Sequence, residues 1–247
     1  MSKSKYQRNS VIELIRILCI LMVIAGHYSA HGVFYALGSL NLESITPRLL
    51  FLQMITFGAD IANDMFILIT GYYMIGSSMK GKRILKVFGE MIFYAVIIAF
   101  TFHFTELKVL SGEALKKLLL PFWSGENWFV TCYLLLCLLI PFLNSFLKNL
   151  EQTAFAKLLA ILFLLRFVAP LFHTKTFWNT SHGLEQFIFL YFVGAYIKLH
   201  GFQTKLLQNK WFSRILLCII AMLFVIFNIG LATMGIRTQN QELISEI

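Results

Sequence analysis

The chain has 247 residues, of which 58% are hydrophobic and 13% are charged, whereas about 25% of the residues in an ordinary soluble domain are charged. A soluble protein of this length needs a polar surface in contact with water. This composition therefore excludes a soluble fold and indicates a protein embedded in lipid. The net charge of +9 does not indicate nucleic acid as a partner. The basic residues lie in short clusters between apolar runs, where they fit anionic lipid headgroups.

Seven apolar segments approach or reach the roughly 20 residues that a helix needs to cross a bilayer core. They predict an all-α, polytopic membrane protein with about seven transmembrane helices, in a single domain over residues 1–247. The second segment is long enough to tilt or to break near Gly58, and the sixth is short. The segments span residues 11–30, 49–75, 84–104, 128–147, 154–172, 184–199 and 215–234.

Lysine and arginine residues between the segments predict the orientation in the membrane. The N-terminus and the connections after the second and sixth segments are basic and should be cytoplasmic, whereas residues 32–47 and 105–127 carry little or balanced charge and should be external. The pattern predicts a multi-pass protein of the cell membrane with a cytoplasmic N-terminus. The basic residues are Lys3, Lys5 and Arg8, then Lys80, Lys82, Arg83 and Lys86, then Lys198, Lys205, Lys210 and Arg214.

The four cysteines, Cys19, Cys132, Cys137 and Cys218, all lie inside apolar segments. None has the spacing or the neighbours of a metal ligand, so they predict small hydrophobic side chains in helix interiors and no metal site. An odd number of spans leaves residues 237–247 as a short polar tail, which predicts a truncated or shortened member of a larger architecture.

Three ionisable residues lie in the first segment, which is long for a signal peptide. An ionisable group inside a span costs about 2.5–3.5 kcal/mol or more, so each is a candidate site residue. Glu13 and Arg16 are three residues apart, which predicts an ion pair on one helix face. His27 lies eleven residues after Arg16, on the same face and roughly 16 Å away along the axis, and Gly26 leaves room beside it. Alternatively, Arg16 extends to the headgroups and His27 is an interfacial histidine.

The second segment adds two carboxylates, because Asp60 and Asp64 are four residues apart and share a helix face. Thr70, Gly71 and Tyr72 then form a short polar stretch at which another helix or a ligand chain could approach closely. An imidazole and a carboxylate from different helices could form a base and its orienting partner, which is the usual arrangement for deprotonating a hydroxyl. The alternative is that the small residues are an ordinary helix-packing position.

The basic cluster at Lys82, Arg83 and Lys86 follows the second segment. Its charge fits a cytoplasmic connection, and lysine and arginine also bind phosphate groups well, so the cluster suits a phosphorylated donor. The composition of the cluster does not separate these two roles.

Five motifs, in order, resemble those of the acyltransferase-3 family, which are membrane-bound acyltransferases that modify surface glycans. Arg16 and His27 resemble its Arg-x10-His signature, and Asp64 to Tyr72 resembles its Asp-x-Phe-Phe-x-x-Ser-Gly-Phe segment. The other three motifs are the basic start of the third helix at residues 82–86, the pattern from Trp128-Phe129 through Tyr133 to Pro141-Phe142-Leu143-Asn144, and residues 189–196.

The resemblance implies a helical membrane domain of about ten spans that takes an acyl group, most often acetyl, from cytoplasmic acyl-CoA without a metal. The acceptor implied is a hydroxyl of a surface or cell-wall polysaccharide or of a lipid-linked sugar. The implied catalytic residues are His27, Arg16 and Asp64. The implied donor contacts are Arg16, Lys82, Arg83 and Lys86, and the implied acceptor contacts are Glu13, Thr70, Tyr72, Trp128 and Tyr133.

The chain departs from the family pattern in several places. Thr70 stands where serine is common, which keeps the hydroxyl, and Glu13 stands where aspartate is common, which keeps the charge. The seven predicted spans are fewer than the family's usual ten or so, which leads us to expect a chain without the last family helices, and an inactive truncated remnant is the second hypothesis. A proton-coupled transporter or flippase is the third, because intramembrane Asp, Arg and His also suit a proton path. Paired broken helices in two homologous halves, the usual sign of a transporter, are not visible in the sequence.

Overall fold

A computed structural model describes residues 9–34, 46–77, 81–105, 128–168, 183–201 and 209–238, and every element within these ranges is helical. The predicted all-α fold is confirmed, and each of the seven predicted segments contains one α-helix. The helices are α1 (Ser10–His27) with a π-helical continuation (Tyr28–Phe34), α2 (Pro47–Met74), α3 (Gly81–Phe104), α4 (Trp128–Lys148), α5 (Gln152–Phe163) with a π-helical continuation (Leu164–Val168), α6 (Leu184–His200) and α7 (Lys210–Thr238).

Five of these helices, α1, α2, α3, α4 and α7, are long and apolar enough to cross a membrane, which confirms the polytopic class. The other two are shorter, since α6 has 17 residues and α5 has 12 before its π-helical turn of 5. Seventeen residues at 1.5 Å each span about 25 Å, slightly less than a typical hydrocarbon core. The α2 helix runs without interruption through Gly58, so the predicted alternative of a break there is wrong.

Three helices begin at residues whose side chains accept hydrogen bonds from the first free backbone N–H groups. Asn9 Oδ1 accepts from Val11 N at 3.0 Å before α1, and Asn209 Oδ1 accepts from the N of residue 211 at 3.0 Å in α7. Thr46 caps α2 in the same way and is followed by a proline at the first helical position, where its missing N–H costs nothing. Gly201 ends α6 with φ at 69°, a conformation that favours glycine.

The chain forms two compact units, which are described separately. The first unit comprises residues up to Phe66 and from Phe202 onward, and it contains α1, most of α2, and α7. The second unit, Ile67–Gly201, contains the end of α2 and helices α3 to α6. The single domain over residues 1–247 stays a prediction. Most of the connections predicted to be external lie outside the described residues, as do Lys3, Lys5, Arg8, Lys80, Lys205 and residues 239–247.

In the first unit, the end of α1 packs closely on α2. A Cβ added at Gly26 would overlap the Cβ of Ala59, so α2 fills the space that the glycine leaves beside it. Ser29 Oγ donates a hydrogen bond to the carbonyl oxygen of Leu52 at 3.0 Å, and Thr56 Oγ1 donates to the same oxygen at 2.8 Å. These contacts fix the position of the residues around Gly26 on α1 relative to α2.

In the second unit, ring contacts show how α5 runs relative to α6. Phe155 near the start of α5 contacts Tyr196 near the end of α6, with ring centroids 5.3 Å apart. Phe167 beyond the end of α5 contacts Phe189 near the start of α6 at 5.7 Å. The two helices are therefore antiparallel, as the predicted alternation of the fifth and sixth segments requires.

The α4 and α6 helices run in the same direction, as the alternation also requires. The rings of Phe129 and Phe187, near the starts of the two helices, are 5.2 Å apart. Further along both helices, Tyr191 donates a hydrogen bond from its hydroxyl to Asn144 Oδ1. The absolute orientation across the membrane stays a prediction.

Two glycines let α2 and α6 approach closely. A Cβ at Gly71 would overlap the carbonyl oxygen of Tyr191, and a Cβ at Gly194 would overlap the carbonyl oxygen of Leu68. Both obstacles are backbone atoms, so a side chain could be accommodated only by moving the helices apart. This contact holds α2 and α6 together in the second unit.

Asn144 links three helices of the second unit. Its Nδ2 donates to the carbonyl oxygen of Met74 at 2.8 Å and to that of Ser77 at 3.3 Å, at the end of α2, while its Oδ1 accepts from Tyr191 of α6. Asn144 and Tyr191 are both buried, so these bonds are shielded from water. Two residues of motifs that resemble the family, Asn144 and Tyr191, therefore have a packing role here.

Candidate functional site

The predicted ion pair of the first helix is present. Arg16 Nη1 lies 3.1 Å from Glu13 Oε1, and the arginine and glutamate side chains are 37% and 48% exposed. A pair this exposed contributes little to stability. The ion pair does, however, hold the Arg16 guanidinium on one face of α1.

His27 is the last residue of α1, and its side chain is exposed. Because the helix is uninterrupted from Arg16, the rise between the two residues is about 16 Å and both lie on one face, as the sequence predicts. The π-helical segment Tyr28–Phe34 begins directly after it, and π-helical turns are frequent at functional sites.

His31 also belongs to this site, and sequence reasoning missed it. Its ring lies edge-on to that of His27, with the ring centroids 5.7 Å apart. Both imidazoles are exposed, so the end of α1 presents two titratable rings. The spacing of four residues between the histidines is the signal that could have identified the pair.

The carboxylates of α2 are half-buried, and both Asp60 and Asp64 take part in interactions. Within the described residues, no hydrogen bond or ion pair joins His27 to Asp64. The packing of Gly26 on Ala59 places their chain neighbours, His27 and Asp60, at the same crossing of α1 and α2. The pairing of the His27 base with a carboxylate of α2 stays a prediction.

In the second unit, the structure brings together two of the predicted acceptor residues. Tyr133 on α4 lies close to the side chain of Thr70 on α2 and to that of Cys137 one turn further along α4. Trp128 lies at the start of α4, where its ring is 6.0 Å from that of Phe187. The Tyr133 hydroxyl and the Trp128 indole ring therefore lie at different levels along α4.

Three of the four predicted donor-binding cations, Lys82, Arg83 and Lys86, lie in the first two turns of α3, and all three are exposed. Lys86 forms an ion pair with Glu90 at 3.6 Å, so its charge is partly neutralised. Arg83 instead reaches back to α2, where its Nη1 donates to Met74 Sδ at 3.4 Å. Arg83 and Lys82 are therefore the better candidates for binding an anion.

Lys198 of α6 lies at the same end of α2. Its Nζ is 4.7 Å from the centroid of the Tyr72 ring, which is a cation–π contact. From sequence, Lys198 was predicted only to fix the orientation in the membrane. Its place beside Tyr72 depends on the packing of α6 on α2, which sequence spacing does not reveal.

The predicted site residues divide between the two units. The first unit holds the residues implied in catalysis, and the second unit holds most of those implied in donor and acceptor binding. The first unit contains His27, Arg16 and Asp64 together with the predicted acceptor contact Glu13, and the second contains Thr70, Tyr72, Lys82, Arg83, Lys86, Trp128 and Tyr133. The α2 helix carries members of both groups.

A comparison with family models finds one described as an acyltransferase domain, which matches residues 9–243. This range includes every predicted site residue. No curated protein and no solved structure gives a significant match.

Proposed function

Since the chain belongs to the acyltransferase-3 family and is a membrane acyltransferase, we propose that it transfers an acyl group, most simply acetyl, from acyl-CoA to a hydroxyl of a surface or cell-wall polysaccharide. The observation that carries the proposal is the family match over residues 9–243, nearly the whole chain. The proposal places the protein in the cell membrane as a multi-pass protein, with its N-terminus in the cytoplasm. Acyl-CoA then reaches the basic end of α3 from the cytoplasm.

The cations support the choice of donor. Acyl-CoA carries several phosphate groups, and arginine and lysine form charge-assisted hydrogen bonds with phosphate. In the proposal, Lys82 and Arg83 bind the phosphates, and Arg16 orients the donor from α1. Its guanidinium is held on the His27 face by Glu13, at 3.1 Å.

In the proposed reaction, His27 is the general base. Its imidazole accepts the proton of the acceptor hydroxyl as the oxygen attacks the thioester carbonyl carbon. A carbon–oxygen bond forms, the carbon–sulfur bond breaks, and the proton passes to the leaving thiolate, so the products are an ester and free CoA. The edge-on contact with His31 at 5.7 Å orients the His27 ring.

Replacing His27 by alanine is expected to lower acyl transfer at least 100-fold, because positioned general bases contribute about 10²–10⁴-fold. We would express the chain in cells whose surface polysaccharide lacks esters and measure alkali-labile acetyl groups on that polysaccharide. The native chain should add them, and the His27→Ala variant should not.

His103→Ala is the matched control, since His103 is an exposed histidine at the other end of α3 from the basic cluster and has no role in the proposed site. It should leave the ester content unchanged. Unchanged ester content in His27→Ala, at an equal amount of protein in the membrane, would contradict the assignment of the base.

A further inference from the structure

An open groove runs along one face of α7 near the start of the helix. Its volume is about 340 Å³. The residues that line it are Trp211, Arg214, Ile215, Cys218, Ile219 and Met222. They recur at intervals of three and four residues, so they form a single stripe on the helix. The stripe begins with an aromatic ring and a cation and continues with apolar side chains, which gives the groove a charged end and an apolar body.

The charged end of the groove is suited to an anion. The Arg214 guanidinium lies over the Trp211 ring with Cζ 5.7 Å from the ring centroid, a cation–π contact that positions the charge without cancelling it. Lys210, at the first position of the helix, is also exposed. Neither Arg214 nor Lys210 forms an ion pair with a carboxylate in the part of the chain that the structure describes. The partial positive charge of the helix N-terminus adds to both cations.

The apolar body of the groove has the length of one bilayer leaflet. It lies in a candidate membrane span that begins at Lys210, and its apolar side chains are exposed rather than packed in the protein core. From Arg214 to Met222 it extends about 12 Å along the helix axis. One leaflet supplies roughly 15 Å of hydrocarbon, half of a core of roughly 30 Å. Tryptophan favours the membrane–water interface, so Trp211 places the charged end of the groove at the level of the headgroups.

We propose that this groove binds one anionic phospholipid. The Arg214 guanidinium binds the headgroup phosphate, because arginine forms paired charge-assisted hydrogen bonds with phosphate, and the Trp211 ring holds the guanidinium in place. Lys210 adds charge that favours a headgroup with a net negative charge over a zwitterionic one. One acyl chain lies along the groove from Ile215 to Met222. The proposal goes beyond the proposed function, since it involves neither acyl-CoA nor the residues assigned to catalysis.

The order of groups along the groove selects a phospholipid as its occupant. In a phospholipid, only the glycerol ester separates the phosphate from the acyl chain, so a phosphate at Arg214 places the chain directly beside Ile215 and Cys218. In acyl-CoA the long pantetheine arm separates the phosphates from the acyl group. A soluble phosphate has no apolar part to cover the groove. The cation followed at once by apolar side chains therefore fits a membrane lipid.

The test measures lipid binding to the full chain, purified in a phospholipid-free detergent. Phosphatidylglycerol and phosphatidylcholine with identical acyl chains are titrated against the native chain, Arg214→Gln and Lys148→Gln, and bound lipid is counted by native mass spectrometry. The native chain should prefer phosphatidylglycerol, and Arg214→Gln should bind it about tenfold more weakly, because a hydrogen bond to a charged group is lost. Lys148→Gln removes an exposed charge from the end of α4, outside the groove, and should bind phosphatidylglycerol as the native chain does.

Lipids with brominated acyl chains show where the bound chain lies, since bromine quenches the fluorescence of a tryptophan that it contacts. The difference in quenching between the native chain and Trp211→Phe isolates the contribution of Trp211. We expect this contribution to be larger for brominated phosphatidylglycerol than for brominated phosphatidylcholine, and to shrink in Arg214→Gln. Equal quenching in the native chain and Trp211→Phe would place the bound lipid elsewhere and overturn the proposal.

The remaining outcomes test the two ends of the groove separately. Unchanged affinity of Arg214→Gln for phosphatidylglycerol would overturn the assignment of the headgroup, and equal affinity of the native chain for both lipids would overturn the selection by charge. Glycerol 3-phosphate, which has no acyl chain, should not compete with phosphatidylglycerol. If it competes as well as the whole lipid, the apolar body of the groove has no role in binding. All of these measurements are made without acyl transfer, so a failure of the proposed function leaves them unaffected.

Discussion

Replacing Gly194 by alanine is expected to destabilise the folded protein by about 3 kcal/mol or to prevent its folding. The added methyl would overlap the carbonyl oxygen of Leu68 and crowd the backbone nitrogen of Tyr72. Backbone atoms cannot rotate away, so α6 would have to move off α2, which would break the contacts that hold the end of α2 in the second unit. Thermal unfolding in detergent measures the effect.

Gly89→Ala is the matched control, because Gly89 lies in α3 of the same unit and a Cβ there has no neighbour within 4 Å. That change should stabilise the protein by about 0.5–1 kcal/mol, since glycine is a poor helix former. Equal unfolding temperatures for Gly194→Ala and the native chain would show that α2 and α6 do not cross at these glycines.

Replacing Asn144 by leucine is expected to cost about 3 kcal/mol, because it removes a buried side chain with three hydrogen-bonding partners. The carbonyl oxygens of Met74 and Ser77 would lose their donor, and the Tyr191 hydroxyl would be left buried without its acceptor. The end of α2 should also become more accessible to protease, since Asn144 ties it to α4.

Adding Tyr191→Phe to Asn144→Leu should recover part of this loss, because the orphaned hydroxyl is then absent. Asn149→Leu is the control at the end of α4, where the amide makes an exposed local bond to the carbonyl oxygen of Ser145 at 2.9 Å. It should change the free energy of unfolding by less than about 0.5 kcal/mol. If the losses from Asn144→Leu and Tyr191→Phe simply add, the buried hydrogen bond between them does not contribute.

The helices were predictable because their signal is local. Runs of apolar residues act within one helix, so the segments agree with the structure to within a few residues at most ends. The π-helical turns after His27 and Phe163 were not predicted, because their apolar residues continue the pattern of the helix.

The candidate site was predictable only where one helix holds it. The Glu13–Arg16 pair follows from a spacing of three residues, and the structure contains it. Lys198 and Tyr72, or Asn144 and Tyr191, come from different helices. Which faces of two helices meet depends on tertiary packing, and a single sequence does not specify it. The family resemblance selected Asn144 and Tyr191 within longer motifs but did not indicate that they bond to each other.

The central claim is that the chain moves an acyl group from CoA to a polysaccharide hydroxyl. The most direct test supplies membranes containing the native chain with acetyl-CoA labelled with ¹⁴C in the acetyl group and ³H in the adenine, together with a surface-polysaccharide fraction. We expect ¹⁴C to appear in the polysaccharide as alkali-labile ester without ³H, while free CoA thiol is released in equal amount. Polysaccharide that stays free of ¹⁴C, with the protein correctly inserted in the membrane and a range of polysaccharides supplied, would contradict the account.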